Sequence, residues 1–75
     1  MSNLFNPPLY IKGEKFNYGA TVSEMFGFFY REANNQGWSK TQKETVLDEC
    51  YRLGYSHTLS TINAHISATD KEVTP

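Results

Sequence analysis

Apolar positions along this chain change their period near residue 20. Leu9 and Ile11 alternate with Tyr10 and Lys12, and Phe16 and Tyr18 flank Asn17. That two-residue spacing belongs to strands with one buried face. Gly13 and Glu14 separate the two runs, and glycine followed by any residue suits a type II′ turn, whose twist matches antiparallel strands. The pattern predicts a β-hairpin over residues 9–18, with Ile11 opposite Phe16 and Leu9 opposite Tyr18. Pro7 and Pro8 precede it and cannot donate ladder hydrogen bonds, so residues 1–8 are expected to form a loose arm.

From Thr21 the spacing becomes helical. Thr21 and Glu24 have the types and separation of a reciprocal capping box, and Val22, Met25, Phe26, Phe29 and Ala33 follow on one stripe. Gly27 interrupts this helix and is expected to mark the close approach of another backbone. Asn34, Asn35, Gln36 and Gly37 end it. Ser39 and Gln42 repeat the box ahead of Val46, Leu47, Cys50 and Leu53, while Glu44, Asp48, Glu49 and Arg52 take much of the remaining surface. Gly54 is a stop signal. Ser56 or Thr58 is the expected cap of a third, shorter helix carrying Leu59, Ile62 and Ile66. The helical region thus covers 21–67, and 68–75 is expected to be a frayed tail. The fold class expected is α+β: an N-terminal β-hairpin packed on three short helices in a single small domain.

Length and charge narrow the function. Seventy-five residues leave room for one core. Seven basic against eight acidic side chains give a net charge of −1, without the basic excess that releases counterions from nucleic acid. Weak long-range repulsion makes a homo-oligomer an open expectation. One cysteine cannot form an internal disulfide, and Cys50 falls on an apolar stripe, where a small buried hydrophobe is expected. The N-terminus carries no charged segment followed by an apolar run, and no apolar stretch approaches a membrane span, so a cytoplasmic protein without membrane contact is expected.

Groups for chemistry do not converge. His57 and His65 are eight residues apart, too far to chelate one ion as an i, i+4 pair would, and adding Cys50 matches no zinc spacing. The glycines are scattered rather than gathered in a phosphate loop. No enzyme activity, metal or cofactor is expected.

Two binding surfaces can be read instead. Tyr30, Trp38, Tyr51 and Tyr55 exceed what so small a core can hide, and Arg31 and Arg52 adjoin two of them. Aromatic rings and guanidinium groups dominate protein–protein hot spots, so Tyr30, Arg31, Trp38, Tyr51, Arg52 and Tyr55 are the candidate partner-binding residues. Another protein is the first partner expected. In overall style, a tiny lone domain rich in Asn, Tyr, Phe and Thr with no catalytic set, the chain resembles bacteriophage accessory proteins of the host-takeover or anti-defence kind. That resemblance implies inhibition or modulation of a larger partner. Nucleic acid is the second expectation. Helices at about 41–53 and 57–67, joined through Leu53, Gly54, Tyr55 and Ser56, resemble a helix-turn-helix motif. His57, Thr58, Thr61 and Asn63 would then be the contacting residues, on a helix that lacks Lys and Arg.

Overall fold

The structure, a computed structural model, describes residues 3–68. The elements in order are β1 (Ile11–Gly13), α1 (Val22–Asn35), α2 (Lys40–Cys50), α3 (Tyr55–Asn63) and β2 (Ile66–Ala68). Three helices and a two-stranded parallel sheet make a small mixed α/β domain. Of the expected frayed tail, all but Ala68, which closes β2, lies outside the described residues.

Both capping boxes form. Thr21 accepts from Glu24 N while Glu24 reaches back to Thr21 N, and Ser39 and Gln42 do the same at α2. From these starts the stripes run inward: Met25, Phe29 and Ala33 of α1 meet Val46 and Cys50 of α2, with Leu59 and Ile62 of α3 completing the wall. Trp38, between α1 and α2, packs edge-on against Phe29 with ring centroids 5.3 Å apart. Val22 and Leu53, at the ends of their stripes, are exposed.

The expected hairpin does not form. β1 pairs instead with β2, in parallel, in the register Ile11↔Ile66. Ladder hydrogen bonds, each contributing a net of about 0.5–1.5 kcal/mol, are available to either pairing. The parallel pairing also buries Ile11 and Ile66 completely against the helices. Full burial stabilises by about 1.5–3 kcal/mol for each such side chain, so the parallel solution wins. Ile66, expected on the third helix, is therefore a strand residue, and α3 stops at Asn63.

Side chains complete what the hairpin partner would have supplied. Asn63 Oδ1 accepts from Phe16 N (2.8 Å) and its Nδ2 donates to Phe16 O (2.9 Å), gripping the segment that leaves β1. Lys15 Nζ donates to Asn63 O (2.7 Å) and Ile66 O (3.0 Å) at the C-terminus of α3, where a cation suits the helix dipole. Along the outer edge of β1, the Gln36 amide donates to Tyr10 O (3.3 Å) and accepts from Lys12 N (3.0 Å). An open strand edge is thereby occupied by one side chain, which opposes edge-to-edge pairing of copies.

Three further expectations change. Gly27 has open space around it, with no heavy atom within 4 Å of the place a Cβ would take; the close approach is at Gly13, against Phe28. Gly54 is the N-cap of α3 with no side-chain bond, in place of Ser56 or Thr58. The segment expected as a loose arm is tied down over residues 3–9. Asn3 Oδ1 accepts from Phe5 N (3.0 Å) and Leu9 N (3.3 Å), and Asn3 Nδ2 donates to Leu9 O (2.7 Å) and Ala64 O (3.2 Å). The arm lies over Trp38 and His65, whose rings Phe5 meets edge-on.

Candidate functional site: an aromatic face on α1 and α2

Two helical rows run side by side on one surface. Val22, Phe26 and Tyr30 stand at i, i+4 and i+8 on α1, and Lys43, Leu47 and Tyr51 repeat that spacing along α2 and its cap. The rows touch in antiparallel order. Phe26 meets Tyr51 edge-on at 5.6 Å, and Lys43 Nζ lies 4.6 Å from the centroid of Tyr30 while also bonding Asn34 Oδ1. Phe26 and Leu47 are half-buried between them. Tyr51 is 71% exposed, Tyr30 43%, and Leu53, just past Tyr51, 68%. The result is a ring-rich strip with two phenol hydroxyls and one ammonium group, resting on the core without entering it.

The six proposed partner-binding residues do not all meet here. Tyr30 and Tyr51 do, and Arg52 adjoins Tyr51 in sequence, with Nη1 3.3 Å from Glu49 Oε1. Arg31 does not. Consecutive helical residues diverge by about 100°, and Arg31 lies over the Phe28 ring on the other flank (5.7 Å) with Glu32 beside it. Trp38 is in the core. Tyr55 fastens the loop before α1: its hydroxyl donates to Ala20 O (2.5 Å) and accepts from Gly19 N (3.1 Å), and its ring leans on Tyr18. Phe26 and Leu47 were read from the sequence as stripe residues and not as part of a binding face, and Lys43 was not singled out, although their i, i+4 spacing to Tyr30 and Tyr51 was present.

The four residues proposed to contact nucleic acid are turned into the fold. His57 Nε2 is 2.8 Å from Glu49 Oε2. Thr58 donates to Cys50 O (3.0 Å) and is buried. Thr61, also buried, donates to His57 O (2.7 Å). Asn63 holds Phe16 as described.

Electrostatics around the face are modest. The hydrogen bond from His57 holds the Glu49 carboxyl below the usual carboxylate range against an opposing effect of burial, with Arg52 adding to the lowering. Burial, reinforced by the nearby Glu49 charge, pushes the Cys50 thiol up to about 12, so it carries no thiolate at neutral pH. Among the described residues no three His, Cys, Asp or Glu side chains converge to hold a metal ion, and no helix is long and apolar enough to cross a membrane. Comparison of the chain with protein-family models, with curated proteins and with solved structures gave no match.

Proposed function

We propose that this chain is a non-catalytic protein-binding module that modulates or inhibits a larger partner by occupying it, in the manner of a bacteriophage inhibitor working in the host cytoplasm. The reading is carried by one observation: Tyr51 stands 71% exposed on Phe26, beside the Tyr30–Lys43 pair. Rings held in place by neighbours lose little conformational freedom on binding, and each offers a wide apolar surface with a polar tip. The partner implied has an apolar cleft rimmed by acceptors for the two phenols and Lys43.

Affinity purification of the tagged protein from its native cell, with nuclease treatment, tests this reading. Tyr51→Ala and Tyr30→Ala are expected to lose the partner while keeping the wild-type circular dichroism spectrum and melting profile. Retention of the same partner by both variants would remove the face from consideration, and loss of all binding after nuclease would favour nucleic acid instead.

A further inference from the structure

His65 is fully buried at the junction of α3 and β2. Its two ring nitrogens have partners of opposite and fixed character. Nδ1 lies 2.8 Å from Thr61 O, a carbonyl that can only accept. Nε2 lies 3.1 Å from Leu4 N, a backbone amide that can only donate. The ring is therefore neutral, with its proton on Nδ1 and its Nε2 lone pair facing the arm. No second arrangement satisfies both neighbours.

We propose that His65 is an acid-released latch for the N-terminal arm: a proton taken up at Nε2 removes the acceptor of Leu4 N–H, and residues 3–9 leave the surface they cover on Trp38 and on Ala64 and His65 just past α3. The protonated ring would present N–H to N–H at Leu4, so the arm cannot stay in register. Its Nδ1 bond to Thr61 O is unaffected, which confines the disruption to the arm. Phe5, edge-on to both His65 (5.7 Å) and Trp38 (5.6 Å), moves with Leu4 and uncovers both rings. The remaining hydrogen-bonded anchor is Asn3, whose amide bonds Leu9 and Ala64, while Leu4 and Leu9 also pack against the core.

Among the described residues, the Thr61 carbonyl is the one group that favours the imidazolium. The arm contributes Leu4 and Phe5, the α1–α2 connection Trp38, α3 the Thr61 carbonyl, and β1 the Ile11 amide, which bonds His65 O at 2.8 Å. No charged side chain among the described residues acts on the ring. Burial lowers its pKa from the ordinary 6.5, partly offset by the Thr61 carbonyl. The sign follows: the closed arm is fully stable above pH 6.5 and loses stability as the pH falls below it.

The test is an NMR titration of the whole chain from about pH 7.5 to about pH 4.5, following backbone amides and the His65 ring carbons. The Leu4, Phe5 and Leu9 amides are expected to change and lose exchange protection with the midpoint of the His65 ring, below 6.5, while Met25 and Val46 amides keep theirs. In His65→Gln the arm transition disappears. Should that variant fail to fold, Asn3→Ala serves, because weakening the second anchor favours the open arm. A tenfold larger opening constant moves the midpoint up by about one pH unit. The proposal is overturned if arm and helix amides are lost in one transition, if the arm amides stay fixed while the ring titrates, or if Asn3→Ala leaves the midpoint unmoved.

Discussion

Gly13 and Phe28 compete for the same space: a Cβ on residue 13 would lie 2.4 Å from Phe28 Cζ. Gly13 also has φ +148°, a backbone conformation that side chains rarely adopt. Gly13→Ala is therefore expected to destabilise the protein by about 1–3 kcal/mol, through strain and displacement of the ring. Urea denaturation measures the change. Phe28→Leu in the same chain should recover the part due to the ring, and a strictly additive double mutant would show that the ring plays no part.

Gly27 is the opposite case. It sits in α1 with no neighbour for a new methyl group to strike. Gly27→Ala is expected to raise stability by about 0.5–1 kcal/mol, the usual difference between these residues inside a helix. A thermal or urea midpoint lower than wild type would contradict the open space around residue 27.

Asn63 takes the place of a strand for Phe16, so its loss should be felt at a distance in sequence. Asn63→Ala leaves Phe16 N–H and C=O without their partners and is expected to cost about 1–3 kcal/mol. Hydrogen exchange at the Phe16 amide should accelerate more than at amides in α2. Uniform acceleration across the chain would instead mean that the clamp is part of the global unfolding unit.

The contact between Glu49 and His57 sets an acid dependence. Because the Glu49 carboxyl is held below the ordinary 4.5 in the fold, its contribution is present above that value and is lost as the pH falls through the lower folded-state value. Glu49→Gln should thus be less stable than wild type near neutrality, and the two curves should converge in acid. Parallel stability curves down to low pH would contradict the assignment.

The helices were legible because their signals are local. Thr21 with Glu24, and Ser39 with Gln42, close capping boxes within three residues, and Met25, Phe29 and Ala33 share a stripe at i, i+4 and i+8. The surplus of rings was legible too: Tyr30 and Tyr51 stand outside the core. Which rings meet was not. Phe26 finds Tyr51 only because α1 and α2 pack side by side, and Arg31 parts from Tyr30 because adjacent helical residues face different ways.

What this sequence settles by itself is the set of helices, the starts of α1 and α2 and the buried centres of their stripes, each encoded within about four residues. The sheet was decided only in three dimensions. Leu9 to Tyr18 carries a sound local hairpin pattern, yet Ile11 pairs with Ile66 at the far end of the described chain, and Gln36, Asn63 and Lys15 occupy the backbone groups left over. Turn chemistry acts between neighbours, whereas burial of two isoleucines is available only once three helices have brought distant segments together, and here the larger apolar gain prevails.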